Sequence, residues 1–266
     1  MKNIKAKKSL GQNFLNSSSV LNKMILAGEI NQNDLVLEIG PGTGNLTEKL
    51  LNTNAKTIAI EKDERMKEIL QERFSSFSNF SLIINDIKEY YTEFIKENKG
   101  EFKIIANIPY YLSSFLFRLF FENSPKPIKI VLMIQKELAE RIAKKEEPNN
   151  KLRMYINVFY EAKYIATVKK ENFHPKPKVD SAIISLTLKS DNYSKEFLLK
   201  FEEIINAGFR QPRKMLISNL KQYYSKQINW IEILNELAID IKSRPEQLDF
   251  EAWIKLINQI KEKPTE

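Results

Sequence analysis

Leu35-Val36-Leu37-Glu38-Ile39-Gly40-Pro41-Gly42-Thr43-Gly44-Asn45 is the stretch that decides the fold. A mostly apolar, strand-like run ends in three glycines spaced two apart, and a helical pattern begins at Asn45. Glycines at that spacing permit a tight turn and let a ligand approach the backbone at a helix N-terminus. A dinucleotide fingerprint reads G-x-G-x-x-G, the extra residue leaving room for a pyrophosphate. Here the spacing is G-x-G-x-G behind an acidic residue, which suits a ligand without phosphate. The whole chain of 266 residues holds only seven glycines. Three of them within five positions point to a ligand-binding turn rather than an ordinary connection.

Working outward, short β-branched runs alternate with helical stretches, the signature of βα units around a mostly parallel sheet. The strands are predicted at Leu35–Ile39, Thr57–Ile60, Ser81–Ile84, Lys103–Ala106 and Ile128–Ile134, with later ones at Asn157–Glu161, Ile165–Lys169 and Ala182–Lys189. Helices are predicted at Thr43–Leu51, Arg65–Phe74, Phe115–Phe121 and Glu137–Lys145. From Ser194 the pattern is helical over 194–207, 212–224, 229–238 and 246–260, with Pro212 and Pro245 where helices start. The fold class expected is α/β with a small C-terminal α-helical domain, divided as residues 1–189 and 190–266.

Four positions follow apolar runs in register, a glycine and three polar residues: Gly40 with its turn, Glu61 after Ile58-Ala59-Ile60, Asp86 after Leu82-Ile83-Ile84-Asn85, and Asn107 after Ile104-Ile105-Ala106. In a doubly wound sheet these positions lie at the carboxyl ends of neighbouring strands, around the crevice where strand order reverses. Glu61 stands 21 residues after Gly40, where a carboxylate accepts hydrogen bonds from two ribose hydroxyls. Together they define a nucleoside pocket.

Asn107-Ile108-Pro109-Tyr110 adds a chemical function. The lone pair of an exocyclic adenine amine is delocalised into the ring, which makes the nitrogen a poor nucleophile. Two acceptors, the Asn107 side-chain oxygen and the Ile108 carbonyl, would hold both N–H bonds and localise that pair. Pro109 fixes its own φ and keeps the carbonyl aimed, and Tyr110 offers a face for the base. A second aromatic, Phe173, stands in Phe173-His174-Pro175-Lys176-Pro177-Lys178 and would cover the opposite face of an extruded base. Stacking on an aromatic contributes about 1–3 kcal/mol, which helps offset the few kcal/mol of unstacking.

Composition excludes other chemistries. There is no cysteine and a single histidine, His174, so disulfides, thiolate catalysis and Cys/His zinc sites are ruled out, and no metal is expected. The longest uncharged runs, Ser9–Asn22 and Ile104–Phe117, fall short of the ~20 residues that span a bilayer. The opening MKNIKAKKSLGQNFL has no apolar signal core, so a cytoplasmic protein away from membranes is expected. Net charge is +8, which suits a polyanionic partner. Residues 190–266 carry as many acids as bases, so the excess lies in 1–189. Even so, Arg210, Arg213, Lys214, Lys221 and Lys226 share a stretch with no acid between Glu203 and Glu232.

Taken together, Gly11–Leu15, Val36–Gly44, Glu61, Asp86, Asn107–Tyr110, Gln135–Glu137 with Ala139–Arg141, and Phe173–Ser181 resemble the small-subunit ribosomal RNA adenine dimethyltransferase family. The matches run in order over almost the whole chain. The resemblance implies a Rossmann-like domain that uses S-adenosylmethionine, followed by a small helical domain that docks RNA. It implies dimethylation at N6 of two adjacent adenosines near the 3′ end of 16S rRNA, within the immature 30S subunit, by a monomeric enzyme. Residue by residue, it implies that Asn13 and Leu15 contact the cofactor from the N-terminal segment, Gly40 its methionine moiety, Glu61 its ribose and Asp86 its adenine. Asn107 would sit between cofactor and target amine, and Tyr110 and Phe173 would hold the flipped base. The chain departs from the family at Pro212 (usually basic), at Met215 (usually threonine), after Ser113-Ser114, where Phe115 replaces a proline or acid, and in Asn149–Tyr155, which lacks a glycine. Those departures bear on RNA docking rather than on the chemistry. Alternatives are a 23S rRNA adenine methyltransferase of the macrolide-resistance type and a non-catalytic RNA-binding assembly factor; a nicotinamide-dependent dehydrogenase ranks last on the glycine spacing.

Overall fold

A strand that is apolar on both faces must be covered on both, and five such strands run through the first half of the chain. The computed structural model describes residues 6–7, 10–144, 146–190, 193–224 and 228–261. Lys145 and Lys226, both used in the sequence reading, and the residues after Lys261 lie outside the described residues.

One unit contains the chain up to Ala143 and again Tyr160–Leu188. Its strands are β1 (Phe14–Leu15), β2 (Leu35–Ile39), β3 (Lys56–Glu61), β4 (Phe80–Ile84), β5 (Lys103–Asn107), β6 (Lys129–Gln135), β7 (Tyr160–Val168), β8 (Phe173–His174) and β9 (Ser181–Leu188). Its helices are α1 (Ser18–Gly28), α2 (Asn45–Leu51), α3 (Arg65–Phe74), α4 (Ile87–Glu97), α5 (Ser113–Glu122) and α6 (Lys136–Ala143). Seven strands form one sheet in the order β4-β3-β2-β5-β6-β9-β7. The first five are parallel, and β9 pairs antiparallel with both β6 and β7. The chain moves outward from β2 through β3 to β4, then returns to place β5 on the other side of β2. Strand order reverses there, so a crevice opens beyond the carboxyl ends of β2 and β5. On one face α1 buries Val20, Leu21 and Met24 with Ile105 and Val131. The pair β1–β8 joins the N-terminal segment to the loop after β7, with Leu15 opposite Phe173.

The opposite ends of the central strands carry buried lysines. Lys103 donates to the Glu29 carbonyl at 2.6 Å and to Asp34 at 2.8 Å, while Lys129 bonds Glu29 at 2.8 Å and Thr187 at 3.0 Å. Each ammonium therefore has carbonyl, carboxylate or hydroxyl oxygen around it, as burial of a charge demands.

The second unit takes Lys144–Phe159 and the chain from Lys189 on. It comprises α7 (Lys151–Phe159), α8 (Lys195–Gly208), α9 (Leu216–Tyr223), α10 (Trp230–Glu236) and α11 (Phe250–Lys261). Phe197, Phe201, Trp230, Trp253 and Leu256 form its core together with Met154 and Val158 of α7.

Four local readings of the sequence are corrected. Asn157–Phe159 are helical rather than extended, and one continuous strand runs from Tyr160 to Val168. Met154 and Val158, one helical turn apart, are both buried in the second unit's core, and that packing overrides the β propensity of Val158-Phe159. Pro212 does not open a helix but sits in a turn tied by Lys214 N–H to the Gln211 carbonyl, and α9 starts at Leu216. Asn219 explains the turn, donating to the carbonyls of Gly208 and Gln211. Pro245 begins a short 3-10 turn, and α11 starts only at Phe250, with the Asp249 side chain accepting from Ala252 N–H. Finally, α1 and α4 are helices that the strand-centred reading did not predict.

Candidate active site

Across the sheet order β4-β3-β2-β5, the residues leaving the strand ends are Asp86, Glu61, Gly40 and Asn107. All four line one cavity, together with Asn13, Leu15, Tyr110 and Phe173. Every sequence-predicted site residue is thus brought to the same place.

Gly40, Gly42 and Gly44 all have positive φ, +68°, +56° and +87°. The backbone enters the left-handed region at each glycine and leaves it at Pro41 and Thr43 between them, which is why glycine recurs at every second position. Two of the three differ in surroundings. A Cβ on Gly44 would lie 2.5 Å from the Phe74 ring, so this glycine serves packing, whereas a Cβ on Gly40 would meet nothing within 4 Å. Gly40 therefore leaves open space on the cavity side.

Glu61 is 5% exposed. One carboxylate oxygen accepts from Gly42 N–H at 3.0 Å and the other from Asp63 N–H at 2.8 Å. Burial raises its pKa, and those backbone bonds offset part of the rise. Each oxygen keeps a further lone pair for a ligand hydroxyl. Behind it, Glu38 is fully enclosed, accepts from the Thr47 hydroxyl at 2.7 Å, and is pushed up to about 8 by burial. Burial thus favours the protonated form of Glu38 behind Glu61.

Asp86 caps α4, accepting from Lys88 N–H at 3.0 Å, and its other oxygen meets Lys62 Nζ at 2.7 Å. Burial pushes its pKa up, but Lys62 and the Lys88 N–H outweigh that and hold it below the ordinary value.

Asn107 donates through Nδ2 to the Asn13 carbonyl at 3.4 Å, the long end of a hydrogen bond. No donor among the described residues reaches Asn107 Oδ1 or the Ile108 carbonyl. Two acceptors are left open at one corner of the cavity. Tyr110 begins a 3-10 turn after Pro109, whose φ is −57°, and its hydroxyl lies 2.7 Å from the buried Ser181 hydroxyl. Phe173 is more deeply placed than a loop aromatic, 6% exposed within the core around Leu15 and Leu21, and still lines the cavity. Asn13 and Leu15 reach the site through the β1–β8 pairing and through Asn45, which donates to the Leu15 carbonyl at 2.9 Å.

Sequence reasoning missed the clamp that holds this N-terminal segment. Asp63, 2% exposed, accepts from Gln12 at 2.9 Å and pairs with Arg65 at 2.6 Å and Lys7 at 3.3 Å. The Arg65 guanidinium beside it, with Gln12 and Lys7, holds its carboxyl well below the usual range. Lys7 and Gln12 lie more than fifty residues from Asp63 in the chain, which local spacing does not reveal. Tyr111, Lys62 and Lys88 also border the cavity without having been singled out.

The sequence pattern of the ribosomal RNA adenine dimethylase family matches residues 3–262. A curated relative from Dehalococcoides mccartyi, ribosomal RNA small subunit methyltransferase A, is 37% identical over 256 residues, covering 95% of this chain and 88% of its own. Among solved structures, a dimethyladenosine transferase from Plasmodium falciparum superposes with a TM-score of 0.74 at 28% identity, covering 93% of this chain and 97% of its own. The 23S rRNA methyltransferase ErmE reaches a TM-score of 0.78 at 22% identity, covering 94% and 100%, and so shares the Rossmann-like fold.

Proposed function

Since the chain belongs to the ribosomal RNA adenine dimethylase family, we propose that it is an S-adenosylmethionine-dependent methyltransferase that dimethylates N6 of two adjacent adenosines in 16S rRNA. The observation that carries this reading is the row Asp86, Glu61, Gly40 and Asn107 at the parallel strand ends, with two open acceptors at its Asn107 end. The residues fit the cofactor: space stands open at Gly40 and a buried carboxylate with spare lone pairs lines the wall at Glu61. Gly40 would take the methionine moiety, Glu61 the ribose, Asp86 the adenine, and Asn13 and Leu15 would close the N-terminal side. When bound, S-adenosylmethionine supplies an electrophilic methyl group.

The chain's own residues supply the rest. Asn107 Oδ1 and the Ile108 carbonyl accept the two N6–H bonds and turn the lone pair out of the ring system. Tyr110, tethered to Ser181, and Phe173, fixed by its pairing with Leu15, hold the extruded base. Rate acceleration then comes from positioning and from acceptors set before the reaction, with no covalent intermediate and no metal in the scheme. The excess proton leaves to water, and a second cycle requires room for a monomethylated amine.

The substrate form is the immature 30S subunit, engaged by a monomer in the cytoplasm, and the second unit, with Arg210, Arg213, Lys214 and Lys221 exposed, docks RNA. The large-subunit alternative has less support, because the 37% identical relative carries a small-subunit name while the large-subunit enzyme shares only the fold. The test is incubation with methyl-labelled S-adenosylmethionine and unmodified 30S subunits, followed by nucleoside mapping. Label in two neighbouring N6,N6-dimethyladenosines is expected. No label contradicts the proposal and revives the non-catalytic assembly factor, and label on 23S rRNA but not on 30S subunits in a parallel incubation with unmodified 23S rRNA contradicts it in favour of the large-subunit alternative.

A further inference from the structure

Tyr111 is 56% exposed, and of the exposed large apolar side chains among the described residues it alone lines the active-site cavity. Single exposed hydrophobics are ordinary, but this one has particular neighbours. Its ring lies against the N-terminal segment, since a methyl group on Gly11 would sit 3.4 Å from its Cδ1 and Cε1. Lys62 and Lys88 border the same cavity. Lys88 Nζ stands 4.9 Å from the centre of the Phe115 ring, with the Arg118 guanidinium 5.8 Å from the same ring. An exposed aromatic face on a cavity that two lysines also line suits a nucleotide: the base stacks on the ring and the phosphate meets an ammonium group.

We propose that Tyr111 is a stacking platform for the nucleobase adjacent to the one in the pocket, and that Lys88, steadied on Phe115, holds that nucleotide's phosphate. Tyr110 and Tyr111 then divide the work, one serving the reacting base and the other its neighbour. Where two adjacent adenosines are methylated, the neighbour is the second target, held at the rim while the first reacts. This inference rests on the proposed methyltransferase activity.

Methyl transfer to unmodified 30S subunits by wild type, Tyr111→Phe, Tyr111→Leu and Lys88→Gln tests it, with S-adenosylmethionine affinity measured by calorimetry alongside. Leucine keeps apolar contact with the Gly11 segment but offers no stacking face. Tyr111→Phe is expected to keep the wild-type KM for the subunit, and Tyr111→Leu to raise it about 5- to 100-fold, with cofactor affinity unchanged. Lys88→Gln is expected to lower the salt slope of binding by about one. A wild-type KM in Tyr111→Leu overturns the proposal. So does a matching loss of cofactor affinity, because the ring would then only brace the N-terminal segment, and an unchanged salt slope in Lys88→Gln removes the phosphate contact. Absence of transfer by the wild type is a different failure, that of the methyltransferase reading itself.

Discussion

Asn107 owes its proposed role to the two unlike ends of its amide. The nitrogen is engaged by the Asn13 carbonyl, so the oxygen is the end left for a ligand. An aspartate there would bring a charge that localising a neutral amine's lone pair does not require. Glu61 shows a different economy, since its two oxygens already brace the glycine turn and the start of the next helix through Gly42 and Asp63 N–H. Glu61→Ala is expected to weaken S-adenosylmethionine binding about 10- to 100-fold, the size of hydrogen bonds to a charged group. Equal affinity in calorimetry would remove the ribose assignment. Both residues were legible in the sequence because each closes an apolar run. Glu38 was visible only as an acid before the glycines; its raised pKa depends on enclosure, which a sequence does not display.

At the scale of elements, the glycine turn separates two kinds of constraint. Gly44→Ala forces a Cβ into Phe74 and Leu70 at a positive φ, and is expected to destabilise the protein by about 2–4 kcal/mol in urea unfolding. Gly40→Ala carries only the conformational cost, about 1 kcal/mol, but its methyl enters the open cavity and cofactor binding falls. The reverse pattern would mean that the turn's packing and ligand-facing positions are exchanged. The central parallel strands were legible because burial on both faces writes nearly unbroken apolar runs. The helix α7 was not, because its two anchoring residues, Met154 and Val158, acquire meaning only from α8 and its core. The start of α9 was misplaced for a similar reason: Asn219 fixes the preceding turn from within the helix it precedes.

For the whole molecule, ionisable groups give stability a pH dependence of definite sign. Glu38 titrates near 8 in the folded protein against an ordinary 4.5, so between those values the folded state binds more protons and stability falls as pH rises. Glu61 is shifted in the same direction. Asp63 is shifted the other way, and its contribution is lost only as pH falls below the ordinary carboxylate range. Glu38→Gln, which keeps an acceptor for Thr47, is therefore expected to gain stability over the wild type between pH 5 and pH 9, on the order of 4 kcal/mol at the upper end. A constant difference across that range would show that Glu38 ionises normally. The site as assembled meets its most direct test in single-turnover methyl transfer by Asn107→Ala at saturating cofactor and 30S subunits, with cofactor affinity measured on the same preparation. The expected result is a rate lower by about 100-fold or more with cofactor affinity retained; an undiminished rate would contradict the claim that this amide prepares the amine for attack.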